Sequence, residues 1–219
     1  MFVASDLEGT LSRAETWRVV GRFLERAGRG AAYRRLVAVG ALRSLGSRFG
    51  LVHSAGLRER WFEEMTALLR GFDTAQVDAL MSEIVESLWQ ARRTVVIAEL
   101  ERYRREGMCV VIVSGSYIQV VRGFAERLGA QALGSVLEVD EAGRLTGKLV
   151  GEVVSGEAKV RKLRALIGDA PLIAAYGDTE GDAPMLRMSR QPVAVSPNRT
   201  LRRIAQAEGW RMLEDAPAR

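Results

Sequence analysis

Apolar residues fall along this chain in two rhythms. Phe2-Val3-Ala4, Met108-Cys109-Val110-Val111-Ile112-Val113 and Leu172-Ile173-Ala174-Ala175-Tyr176 are short continuous runs, suited to strands buried on both faces of a sheet. Elsewhere apolar positions recur every three to four residues, as in Trp17 to Leu24, Arg58 to Leu69, Val77 to Trp89 and Val160 to Ile167, which is the period of helices with one buried face. The combination predicts an α/β protein whose parallel strands lie near residues 2–6, 109–113, 172–176 and 192–195. Between the first two strands the pattern is helical throughout. The chain therefore divides into a core, residues 1–11 and 95–219, and a helical insertion, residues 12–94.

Each strand-like run ends in residues able to do chemistry. After Phe2-Val3-Ala4-Ser5 come Asp6 and Glu8, two carboxylates two positions apart, then the turn Gly9-Thr10. The second run ends in Ser114-Gly115-Ser116, and the third in Gly177-Asp178-Thr179-Glu180-Gly181-Asp182. A helix opens with Gly156-Glu157-Ala158-Lys159. In an open α/β sheet, ligands gather beyond the carboxyl ends of the strands, so these acids, hydroxyls and lysine are placed to meet there.

In this order the four segments resemble the motifs of the haloacid dehalogenase (HAD) superfamily phosphatases, in the phosphoserine-phosphatase-like branch with a helical cap. The resemblance covers nearly the whole chain and includes the hairpin-like segment from Glu138 to Gly147. It implies a Rossmann-like core (the HAD fold) with residues 12–94 as an α-helical cap. It also implies phosphomonoester hydrolysis, with Asp6 as nucleophile, Glu8 as general acid and base, and Ser114, the Gly115 amide and Lys159 holding the phosphoryl group. Mg2+ would be bound by Asp6, Asp178, the Glu8 carbonyl and, directly or through water, Asp182. Positive charge is needed because a phosphomonoester dianion repels an incoming carboxylate.

Two positions depart from the family pattern. Glu8 stands where most of these phosphatases have Asp, which moves the acid by one methylene; a relative with the same opening transfers phosphate to an alcohol, so an alcohol acceptor is the alternative to water. Gly181 stands where phosphoserine phosphatases commonly have Asn. In the cap, Glu15 lies nine residues after Asp6, where phosphoserine phosphatases hold the substrate ammonium, and Arg60, or Arg58 beside it, has a fork suited to a carboxylate. Together they would select an amino-acid phosphate.

Composition narrows the alternatives. The 219 residues are 47% hydrophobic and 27% charged, ordinary for a globular protein, and the one cysteine excludes an internal disulfide. Cys109, inside an apolar run, is expected to be a buried thiol; it lacks the downstream arginine of a cysteine-phosphatase loop. The single histidine, His53, argues against histidine phosphatases, histidine-zinc sites and serine-histidine triads. Residues 13 to 60 hold eleven arginines, no lysine and three acids, a local excess of eight positive charges against five for the whole chain. A basic lid would draw in anionic substrates. The competing readings are solvated helix faces, a basic nucleic-acid-binding module, and membrane-surface contact by the apolar, cationic run from Tyr33 to Val52, which would favour a lipid phosphate. No nucleic-acid motif is present, and a core-facing cap helix is expected for that run. Asp6 and Glu8 interrupt the apolar start, so no signal peptide is read there and a cytoplasmic location is expected.

Overall fold

The computed structural model describes residues 1–48 and 56–214. Among them, strands β1 (Phe2–Ser5), β2 (Cys109–Tyr117), β3 (Gln131–Val139), β4 (Leu145–Val150), β5 (Leu172–Gly177), β6 (Gln191–Val195) and β7 (Arg211–Leu213) form one sheet in the order β4-β3-β2-β1-β5-β6-β7. Neighbouring strands run parallel except for the antiparallel hairpin of β3 and β4. The fold is α/β, with β1 at the centre.

Period-two alternation explains why the central strands are apolar throughout. Val3, Val110, Ile112, Tyr176, Val193 and Val195 pack into one layer, and Ala4, Val111, Val113, Ala175 and Ala194 into the layer on the opposite face. Each fully buried Val or Leu contributes about 1.5–3 kcal/mol. The second layer is closed by α7 (Glu157–Ile167), α8 (Ala183–Arg187) and α9 (Arg199–Glu208), through Leu163, Leu186 and Leu201 among others.

The helices α1 (Thr16–Arg26), α2 (Gly30–Arg48), α3 (Leu57–Ala67) and α4 (Thr74–Gln90) lie between β1 and β2 in the chain, followed by α5 (Thr94–Arg105). The segments leading into and out of this insertion run side by side. Ser12 bridges to Arg92, the Arg93 N–H donates to the Leu11 carbonyl at 2.7 Å, and the Ser12 hydroxyl donates to the Leu88 carbonyl at 2.8 Å. A capping box between Asp73 and Gln76 starts α4. Farther along, α4 meets α6 (Ile118–Glu126) through the Trp89–Phe124 ring contact at 5.2 Å.

Cys109 is exposed, contrary to the buried thiol expected from its apolar neighbours. It is the first residue of β2, and the strand enters the core only from Val110 onward. The strand also continues past Val113 to Tyr117, so Ser114, Gly115 and Ser116 belong to it. The run from Tyr33 to Val52 forms α2 as far as Arg48; its last four residues and His53 lie outside the described residues. No helix of the described residues is long and apolar enough to cross a membrane.

Candidate active site

Asp6 follows the last residue of β1, and its N–H continues the sheet by donating to the Tyr176 carbonyl at 3.0 Å. Asp178 holds the equivalent position after β5, while Asp182 ends a short 3-10 turn four residues later. One oxygen from each of Asp6, Asp178 and Asp182 lies within 4.8 Å of the others. Lys159, on the buried face of α7, donates to Asp6 Oδ1 at 2.5 Å and to Asp182 Oδ1 at 2.6 Å. Only 4% of Lys159 is exposed, so its charge is matched by these carboxylates and not by water.

Backbone conformation makes room for the cluster. Gly9 has φ +85°, and a Cβ there would sit 2.1 Å from Asp178 Oδ2. A Cβ on Gly177 would sit 2.4 Å from the Cβ of Asp182. Asp182 is then locked: its Oδ2 accepts from the Asp178 N–H at 3.2 Å, the Thr179 N–H at 3.0 Å and the Thr179 hydroxyl at 3.1 Å. Asp178 Oδ1 accepts from the Thr10 hydroxyl at 3.0 Å.

The electrostatics follow from burial. Desolvation pushes Asp6 up to about 6 against the pull of Lys159, with Asp182 adding to the rise. Desolvation, then the charges of Asp6 and Asp182, push Asp178 up to about 8. Lys159 is held protonated well above the ordinary lysine value: its own burial opposes this and the two aspartates outweigh it. A cluster of hard oxygen donors with excess negative charge fits a divalent cation such as Mg2+, whose bonding to carboxylates would remove the cost that now favours protonation.

Ser114 is buried in β2, and its Oγ accepts from the Ser116 N–H at 3.3 Å. The Glu8 carboxyl is bonded to the start of α1. Its Oε2 accepts from the Thr16 N–H at 2.8 Å and its Oε1 from the Thr16 hydroxyl at 2.5 Å. Burial raises the Glu8 carboxyl above its usual range, against the hydrogen bonds from Thr16 and Ser116. Gly115 accepts a hydrogen bond from the Ser135 hydroxyl at its carbonyl, 2.9 Å away.

The two cap residues picked from sequence are not brought to this cluster. Glu15 is exposed and pairs with Arg18 at 2.8 Å; Arg60 is exposed on α3. Part of the cap's basic excess is engaged in local pairs: Arg26 with Glu83 at 2.5 Å, Arg34 with Glu25 at 3.4 Å, and Arg43 with Glu64 at 2.6 Å. Over β2 the cap presents other groups. Phe62 stacks on Tyr117 at 4.8 Å, and Thr66 Oγ1 lies 3.1 Å from the Tyr117 hydroxyl. Thr10, Thr16 and Ser116 were assigned no role by the sequence; Thr10 in the Gly-Thr turn and Ser116 beside Ser114 stood next to residues that were.

The model of the haloacid dehalogenase-like hydrolases matches residues 3–187. The chain is 35% identical over 162 residues to the inhibition of morphological differentiation protein of Streptomyces azureus, covering 71% of this chain and 58% of that one. It is 31% identical over 163 residues to phosphoserine phosphatase SerB1 of Mycobacterium tuberculosis, covering 70% and 51%. The match thus spans little more than half the length of these relatives. A substrate-bound phosphoserine phosphatase complex superposes with a TM-score of 0.68 at 20% identity, covering 98% of this chain and 92% of that one, a likeness of fold.

Proposed function

The chain belongs to the haloacid dehalogenase-like hydrolases, and on that premise we propose that it is a magnesium-dependent phosphomonoester hydrolase in which Asp6 is the nucleophile. The observation that carries this reading is the pairing of Lys159 with both Asp6 and Asp182 at the carboxyl edge of the central strand. It joins a carboxylate, a buried cation and a second acid, with Asp178 beside them, where a phosphoryl group would be attacked. Lys159 opposes the rise that burial gives Asp6 and so favours the ionised form a nucleophile requires.

In this reading Asp6 attacks phosphorus and the ester oxygen departs, leaving an aspartyl-phosphate. Lys159 neutralises the equatorial oxygens. The Ser114 hydroxyl donates to another; its oxygen already accepts from Ser116, so its proton is free to do so. Glu8 supplies the proton to the leaving oxygen and then takes one from the attacking water. Mg2+, when bound, offsets the charge of the dianion and of the nucleophile. Asp6 and Asp178 would hold it directly, with the Glu8 carbonyl. Both oxygens of Asp182 are engaged by protein donors, which supports a role for it through water and in orienting Lys159.

Residues 12–94 form the lid in this proposal, moving about the paired segments at Ser12 and Arg92. The substrate is a small phosphorylated metabolite, with phosphoserine first among candidates because one relative bears that name. For phosphoserine, Glu15 and Arg60 are the groups proposed to meet its ammonium and carboxylate once the lid closes. Free phosphate released from a panel of phosphomonoesters in Mg2+ tests the reading, with wild type beside Asp6→Asn. Selective turnover of phosphoserine supports the narrow form, and preference for nucleotide, sugar or lipid phosphates replaces it. Product in which the phosphate has moved to an added alcohol identifies a phosphotransferase. Release unaffected by Asp6→Asn removes the nucleophile.

A further inference from the structure

Two buried hydroxyls at the junction of core and insertion form a chain that ends on Glu8. Thr16, the first residue of α1, grips one carboxyl at both oxygens, with its N–H on Oε2 and its hydroxyl on Oε1. With Glu8 ionised the Thr16 hydroxyl donates to it, and with Glu8 protonated the acid can donate to Thr16 Oγ1, so the contact is kept in both states of the proton transfer. The Ser116 Oγ lies 3.3 Å from Thr16 Oγ1. Either hydroxyl can donate in that contact, Ser116 when Glu8 is ionised and Thr16 when Glu8 carries the proton. The Ser116 N–H meanwhile donates to Ser114 Oγ at 3.3 Å. Ser116 therefore stands between the hydroxyl that faces the phosphoryl group and the carboxyl that serves the leaving group. All of it lies in the interior: Thr16 is 2% exposed and Ser116 4%.

This arrangement answers the problem set by a glutamate two residues after the nucleophile. The extra methylene adds a rotatable bond, and an unrestrained carboxyl would spend most of its time away from the leaving oxygen. A two-point grip from Thr16, with the threonine hydroxyl oriented by Ser116, removes that freedom. We propose that Ser116, acting through Thr16, is a positioning residue that holds the Glu8 carboxyl for proton transfer to the leaving alkoxide. The inference rests on the reading of Asp6 and Glu8 given above. In the step concerned, the bond from Asp6 to phosphorus forms as the bond from phosphorus to the ester oxygen breaks. The electron pair goes to that oxygen, which takes the Glu8 proton; the carboxylate recovers a proton from the water that later attacks the aspartyl-phosphate.

A comparison of leaving groups tests it, with the full chain in Mg2+. O-phosphoserine and glycerol phosphate release alkoxides that need a proton, whereas p-nitrophenyl phosphate releases an anion that does not. The readout is the ratio of kcat on the alkyl esters to kcat on the aryl ester. Glu8→Gln lowers this ratio about 100-fold, within the range of general acid catalysis. Ser116→Ala lowers it about 10-fold, Thr16→Val lowers it further, and Thr16→Ser, which keeps the hydroxyl, restores the wild-type ratio. An unchanged ratio in Ser116→Ala and Thr16→Val, with Glu8→Gln lowered, overturns the positioning role alone. An unchanged ratio in Glu8→Gln overturns the acid assignment beneath it, and a wild type that hydrolyses none of the esters overturns both.

Discussion

Lys159 Nζ lies 2.6 Å from Asp182 Oδ1, and both side chains are almost wholly removed from solvent. Because Asp182 is fixed on its other oxygen by Thr179 and the Asp178 N–H, the aspartate acts as a rigid post for the lysine. The lysine is thereby aimed at Asp6 before any substrate arrives. In the proposed hydrolysis, such preorganisation would place a positive charge where the phosphoryl group gains negative charge, with little reorganisation during reaction.

Lys159→Met tests how much of the fold depends on this charge. Removing one partner of a buried ion network costs about 3–5 kcal/mol, since the remaining carboxylates must protonate or repel. The metal-free variant is expected to melt well below wild type, with Mg2+ restoring part of the difference and phosphate release remaining at least about 100-fold lower. A melting temperature equal to wild type without metal would show that Lys159 carries no such load.

Glu8 has a structural role separable from the catalytic one proposed for it. Its carboxyl takes the N–H of Thr16, an otherwise unpaired donor in the first turn of α1, and so caps that helix from outside it. Helix capping groups contribute about 0.5–2 kcal/mol. Glu8→Ala should lower stability by that amount, while Glu8→Gln, which keeps an acceptor, should lose less. Chemical denaturation of the two variants side by side decides it: equal losses would mean that Glu8 is not a cap.

The parts of this architecture that sequence made legible are those decided by local pattern. β1, β2, β5 and β6 were readable because strands covered on both faces must be apolar at successive positions. β3 was not, since Gln131, Gly134 and Ser135 break its apolar run, and Ser135 is spent on bonding the Gly115 carbonyl. β7 is three residues at a sheet edge, too short to carry a period. Lys159 taken alone has the pattern of a surface lysine on an amphipathic helix, and only its place in the order of motifs marks it. Thr16 and Ser116 were invisible as a pair because a hundred residues separate them and only the fold brings them together. Glu15 is legible as a substrate-ligand candidate from its spacing after Asp6, whereas its exposed pairing with Arg18 three residues on is legible only in the fold.

Gly9 offers a test of the backbone under the cluster. Its φ of +85° favours glycine, and any side chain there would begin 2.1 Å from Asp178 Oδ2. Gly9→Ala should cost about 1–3 kcal/mol in backbone strain and displace Asp178 as well. The expected outcome is a protein that still folds but whose melting temperature no longer rises with Mg2+. A full Mg2+ response in that variant would separate Asp178 from the metal.

The proton and the metal compete for the same carboxylates, and the sign of that competition can be worked out. Asp178 is raised to about 8 and Asp6 to about 6 in the folded protein, from an ordinary value of 3.8. The folded state therefore holds protons that the unfolded chain releases. This contribution to stability is complete below the unfolded value of 3.8 and disappears as pH rises through the folded values, so that without metal the protein weakens between about pH 4 and about pH 8. Mg2+ must displace those protons, so its affinity should climb over the same interval and level off above it. Thermal melts with and without Mg2+ should show a small shift near about pH 5.5 and a larger one near about pH 8.5, where the carboxylates are free to bind. Equal shifts at both pH values would mean that the metal binds without displacing a proton, and that Asp6 and Asp178 are not its ligands.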